Sequence, residues 1–275
     1  MSIRLASFST FLALYFSLLA PTSLPAQELG PDQLDITGIK LGISGGPELK
    51  KEIESKPEGY ICEDLIFDVG GEEKLLGYSC RAPKAKIIPH MEWSDVDYHL
   101  VTLFDQDSGK VWFIARREKL KEDERPTKKT MQEAFTKRYG QPDAFGKFDN
   151  TDEFRWIFDR TGKKDNKNTT RQCSYESISS NRIKSMRGEY MSGRPDIAIP
   201  SEFSEICGVM LNSDLLGPRV GTEVGIRENA QIWGYTLTLF DSREQYDRLA
   251  AEAQVEKEKQ AEIERQKKAI PAPSF

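Results

Sequence analysis

The residues of this 275-residue chain with the most chemistry to offer are four cysteines and one glycine-flanked serine. Cys62, Cys80, Cys173 and Cys207 are even in number and allow three pairings if they form disulfides. None is spaced C-x-x-C, which argues against a zinc site. Tyr60 to Val69 and Lys74 to Arg81 read as two strands around Gly70-Gly71, a hairpin signal that sets Cys62 nearly opposite Cys80. Directly opposed Cβ atoms lie about 4.5–5.5 Å apart, close to what a disulfide requires. The spacing therefore predicts Cys62–Cys80 and, by elimination, Cys173–Cys207, each worth on the order of 3 kcal/mol through loop closure.

Gly42-Ile43-Ser44-Gly45-Gly46 matches G-x-S-x-G, the nucleophile elbow of hydrolases. His90 and His99 would have to serve as base, with Asp64, Asp68, Asp95 and Asp97 as candidate acids. At most one strand precedes Ser44, and the alternating strands and helices of a parallel sheet are missing, so a glycine turn with a serine near a helix start is the better reading. Asp105-x-Asp107-x-Gly109 has the outline of a calcium loop but lacks its third carboxylate, and position twelve is Arg116 rather than Glu. A hairpin turn fits it better. His90 with Glu92, and His99, are candidate ligands that read more simply as ordinary surface or core residues. No catalytic residue, metal site or cofactor site is therefore expected. Trp112, Phe154, Trp156, Trp233 and Tyr235 read as core.

Charge singles out one region. Arg160 to Arg194 holds nine basic residues against three acidic ones in a chain of net charge −5. Lys163, Lys164, Lys167, Arg171, Arg182, Lys184 and Arg187 form a candidate contact for an anionic partner, against the plainer reading of a hydrated insert.

The elements that must position these groups follow from periodicity. Ile36 to Ile43 alternates like a strand, and Pro47 opens a short helix that buries Leu49 and Ile53. The cysteine hairpin comes next, then a second from Tyr98–Phe104 to Val111–Arg116, apolar on both faces and so central. Glu118 to Lys129 is nearly all charge and reads as a solvated connection. Thr127 caps a helix with the stripe Met131, Ala134, Phe135, and Gly140 with Pro142 ends it. Phe154, Trp156 and Phe158 alternate along a strand; further strands are expected at Glu205–Leu211 and Gln231–Phe240. Asp241 and Glu244 form a capping box for a last helix with the stripe Tyr246, Leu249, Ala250, Ala253. Beyond Val255 that helix is almost wholly charged. The expected fold is α+β: antiparallel sheets, short packing helices and a long charged C-terminal helix. Thr102-Leu103-Phe104-Asp105 recurs as Thr238-Leu239-Phe240-Asp241, and Ile61-Cys62 as Ile206-Cys207. The echo suggests two related halves, 27–117 and 118–255, the second with the basic insert 160–200; 256–275 is a charged helix end and tail.

Residues 1–26 read as a secretory signal peptide: Arg4, an apolar run from Leu5 to Ala20, and Leu24-Pro25-Ala26 before a cleavage point at Gln27. The run is shorter than the roughly 20 residues of a membrane span. An export signal agrees with disulfide chemistry and places the protein in the periplasm or outside the cell. The mature chain, having lost Arg4, carries −6, which argues against nucleic acid as partner.

Gly38-Ile39-Lys40-Leu41-Gly42-Ile43-Ser44 and Lys137-Arg138-Tyr139-Gly140-Gln141-Pro142 resemble motifs of a group of uncharacterised exported proteobacterial proteins. Those carry a G-I-x-L-G-M-S start, a K-Y-G-x-P helix end, a later Cys-Gly strand (here Cys207-Gly208) and a closing charged helix. Ile43 replaces Met, and Arg138 interrupts the second motif. The resemblance implies export and no particular activity. At the level of fold alone, the chain also looks like the small outer-membrane-assembly lipoproteins and the β-lactamase-inhibitor protein. The expectation that follows is an exported binding or accessory protein, leaning away from an enzyme, whose partner is another exported or envelope protein or an anionic envelope component. An inhibitor or immunity-type protein is the alternative, and a serine hydrolase using Ser44 a further one.

Overall fold

The computed structural model describes residues 29–69, 72–83, 96–105, 107–148, 151–164, 173, 197, 199–200, 203–218 and 224–269. The expected signal peptide, the Gly70-Gly71 turn and His90 lie outside them.

Pro47 and Lys128 each open a helix followed by four antiparallel strands. In the first half α1 (Pro47–Glu54) precedes β1 (Ile61–Val69), β2 (Glu72–Pro83), β3 (Val96–Phe104) and β4 (Val111–Lys119). In the second, α2 (Lys128–Tyr139) precedes β5 (Ala144–Phe148), β6 (Thr151–Asp159), β7 (Cys207–Leu216) and β8 (Gly234–Asp241). α3 (Ser242–Ala269) closes the described chain. All eight strands form one sheet in the order β1-β2-β3-β4-β8-β7-β6-β5. Each half is an up-and-down meander, and the last strands of the two halves meet antiparallel at β4–β8. The fold is α+β, as expected, with a single sheet. The Thr-Leu-Phe-Asp echo does not follow this repetition, because it matches the third strand of one half (β3) to the fourth of the other (β8).

One sheet face, here face A, is covered by both helices. Leu49 and Ile53 of α1 and Phe135 and Tyr139 of α2 join Cys80, Leu100, Ile114, Trp156, Leu211 and Leu239 in one core. The Trp156 indole donates to the Gly140 carbonyl (2.9 Å), which fixes the end of α2 over β6. Thr127 caps α2 by accepting from the Thr130 N–H (3.2 Å), and Gly140 ends it at φ 81°. On the opposite face B, Val101, Phe113, Ala115, Ile157, Met210 and Phe240 pack with Cys173, Ile199, Phe203 and Ile206.

Four local expectations are corrected. Trp233, expected in the core, is 43% exposed. Ile36 to Ile43 is a chain of turns rather than a strand: Ile36 bridges only to Ile39, and Thr37, Gly38 and Gly42 have positive φ. The Asp35 carboxylate accepts from the Gly38 N–H (2.7 Å) and closes the first turn, so Ile36 and Ile39 are buried by reversal rather than by pleating. The charged connection before α2 is not solvated throughout. Lys128 is 7% exposed and pairs with buried Asp152. In α3 the buried residues are Ser242 and Gln245, whereas Leu249 of the expected stripe is 38% exposed. Ser242 donates to the Gly208 carbonyl (2.8 Å) and Gln245 to Asp105 (3.2 Å), so polar anchors set how the helix is rotated on β7. The edge strand β5 carries no clear alternation in Ala-Phe-Gly-Lys-Phe and was not anticipated.

Candidate functional site

Both disulfides form as the cysteine spacing predicts. Cys62 and Cys80 are register partners on β1 and β2 and are bonded. Cys173 is bonded to Cys207 at the start of β7, and both are buried on face B. The second bridge ties the basic insert to the sheet.

The other sequence candidates are dispersed. Ser44 is exposed and donates to the Gly45 carbonyl (3.2 Å), beside the β3–β4 turn that it reaches through Lys110. His99 lies near the far end of β3, with its ring bonded to Ser79 (3.0 Å) on face B. The fold does not bring Ser44 and His99 together. Asp105 closes the β3–β4 turn by accepting from Asp107 N–H (3.1 Å), Ser108 N–H (2.8 Å) and the Ser108 hydroxyl (3.0 Å). Burial raises its pKa, but these hydrogen bonds outweigh burial and hold the carboxyl below its ordinary range. One carboxylate oxygen is thus spent on the turn and the other accepts from Gln245 of α3. No cluster of metal-ligating side chains occurs among the described residues.

Within the basic insert, Lys164 donates to the Gln141 carbonyl (2.5 Å) and lies 3.7 Å from Asp143. Neighbouring Arg160 pairs with Asp247 of α3 and stacks over the Tyr246 ring. Lys163 continues a turn closed by Asp159, which accepts its N–H (3.0 Å). Lys167, Arg171, Arg182, Lys184 and Arg187 lie outside the described residues.

The most concentrated polar arrangement is on face B, and no motif announced it. Strand register places Ile61, Arg81, His99, Arg117, Thr236, Asp214, Glu153 and Gly146 side by side across all eight strands. The basic members stand on the first half and the acidic ones on the second. In the adjacent row Ala115, Thr238, Asn212 and Arg155 follow one another, and the row after that is the apolar core of the face. β6, β7 and β8 thus present a block three strands wide and two rows deep: Glu153 and Arg155, Asp214 and Asn212, Thr236 and Thr238.

Glu153, Arg155, Asn212, Thr236 and Thr238 are buried in this block, and Asp214 is partly exposed. Glu153 accepts both arms of Arg155, at 2.7 and 2.5 Å, which satisfies it as a carboxylate. Asp214 stands opposite Glu153. Burial pushes its carboxyl up to about 7, Glu153 pushes the same way, and Arg155 opposes them. Burial alone lowers the pKa of the Arg117 guanidinium. Charged side chains alternating with Phe154 and Trp156 were the sequence signal here, but burial of the second face could not be read from one strand.

α3 is the other distinctive feature. Its 28 residues extend for about 42 Å. It packs on β7 near its start, and residues 249–260 are all exposed, Val255 at 65%. Intrahelical bonds support this part: Arg248 to Glu252 (2.7 Å), Gln254 to Glu258 (2.7 Å), Gln260 to Glu256 (2.7 Å) and Gln266 to Glu262 (3.1 Å). No described helix is long and apolar enough to cross a membrane. Comparisons with protein-family models, curated proteins and solved structures gave no match.

Proposed function

We propose that this is an exported binding or accessory protein that acts by contact with another envelope protein or an anionic envelope component. The projecting part of α3 carries this reading. Most helices in proteins draw their stability from packing of an amphipathic face. Here pairs four residues apart contribute about 0.2–0.5 kcal/mol each and keep extended a rod that buries almost nothing within the chain. Such a rod contributes little to the core and offers a long surface to a partner. The two disulfides support an oxidising destination, and the apolar run at residues 5–20 supports the route to it.

The test is site-specific photo-cross-linking in cells. A cross-linker at Val255 should give one discrete adduct, and one at exposed Lys40, in the turns before α1, should not. The adduct should vanish when residues 256–275 are removed. Equal labelling at both positions would refute the reading. Fractionation with N-terminal sequencing tests export separately: the mature chain should begin at Gln27. Binding to anionic vesicles that falls as salt rises would identify the partner as an anionic component rather than a protein.

A further inference from the structure

We propose that the block formed by β6, β7 and β8 on face B binds one proton, held on Asp214 beside Glu153, and that losing this proton loosens β7 from its neighbours. The geometry is a cross-strand pair of carboxyl groups with one cation, Arg155, in the adjacent row and bonded to Glu153. Asp214 and Glu153 are direct register partners, and the two oxygens of Glu153 are taken by Arg155. Thr236 of β8, opposite Asp214, brings no charge, and β5 offers only Gly146 and Ala144 on these rows. Arg117 and His99 continue the row on β4 and β3, with Thr236 between them and Asp214. Among the described residues, Asp214 therefore faces one carboxylate and one guanidinium already committed to that carboxylate. A second observation points to a missing donor. Asn212, two residues along β7 on the same face, is 4% exposed, and its side-chain oxygen has no hydrogen-bond partner among the described residues. A protonated Asp214 supplies a donor next to that acceptor and removes the repulsion across the β6–β7 pair.

The electrostatics agree in sign. The folded carboxyl titrates at about 7, whereas an unfolded chain releases the same proton near 4. Between about pH 4 and 7 the folded state holds a proton that the unfolded state has lost, so stability falls as pH rises through this window. It is fully present below the window and gone above it. The inference rests on this geometry and does not depend on the proposed binding role.

The experiment uses the full chain. Amide exchange of β7, corrected for intrinsic base catalysis, should be about tenfold or more faster at about pH 8.5 than at about pH 5.5, because the linked opening equilibrium follows the proton. Asp214→Asn should abolish this dependence and protect β7 at the higher pH. Infrared spectra of the folded wild-type chain at about pH 6 should show a protonated carboxyl band, a readout that does not depend on any variant folding. Absence of that band would overturn the proposal. So would an Asp214→Asn chain whose pH profile parallels the wild type. The Thr236→Val chain, which removes no titratable group, should retain the wild-type profile; loss of the profile there would assign it to packing instead.

Discussion

Lys128 and Asp152 offer a quantitative check of how the second half is locked. Lys128 starts α2, Asp152 stands on β6, and their side chains are 9% and 4% exposed. The ammonium also donates to the Ile226 carbonyl (2.9 Å), and Asp152 accepts from the Ile226 N–H (2.9 Å). Gly225, at φ 88°, lets this segment pass against the carboxylate, where a Cβ would collide with it. Lys128→Met leaves a buried carboxylate without its cation and should cost about 3–5 kcal/mol, a large share of the roughly 5–15 kcal/mol that holds a typical domain together. Asp152→Asn keeps an acceptor for Ile226 but strands the ammonium, at a cost of about 2–4 kcal/mol. Lys128→Met/Asp152→Asn leaves no buried charge and should cost about 2 kcal/mol less than the sum of the two. Urea unfolding at fixed pH, with the slope monitored to confirm an unchanged denatured state, measures all three. A Lys128→Met cost under about 1 kcal/mol, or additivity within about 0.5 kcal/mol, would show that the pair is not buried as described.

Replacing Cys62 and Cys80 together by Ala should cost about 3 kcal/mol and replacing Cys173 and Cys207 about 4, from loops of 18 and 34 residues; denaturant midpoints read both, and peptide mapping without reduction should show no Cys62–Cys173 product. Gly77→Ala should destabilise by well over about 1 kcal/mol, since a Cβ there would overlap the Thr102 carbonyl across the β2–β3 pair; an unchanged melting temperature would contradict the register. Removing residues 256–275 should leave the unfolding midpoint within about 0.5 kcal/mol of wild type, because α3 packs on β7 near its start and residues 256–260 are exposed; global unfolding would refute this.

What could be read from the residues alone was local. Cys62 and Cys80 lie within one hairpin, so a turn signal and a strand period were enough to pair them. Thr127, Gly140 and Pro142 stand just outside the two ends of α2, and the capping chemistry acts between near neighbours. Ile39, Leu41 and Ile43 show where such reading fails: their alternation fits a strand, but positive φ at Gly38 and Gly42 turns the chain instead. Pairing between distant segments had no such signal. Asp214 meets Glu153 only because β7 returns antiparallel to β6 after a long excursion, and Lys128 is buried only because Asp152 and the 225–226 segment arrive to satisfy its charge. Sequence period assigns a side chain to one face of its own strand. The strands that lie on either side, and whether that face is covered, are set by long-range pairing, and with them the burial and charge neighbours that make Asp214 a proton site.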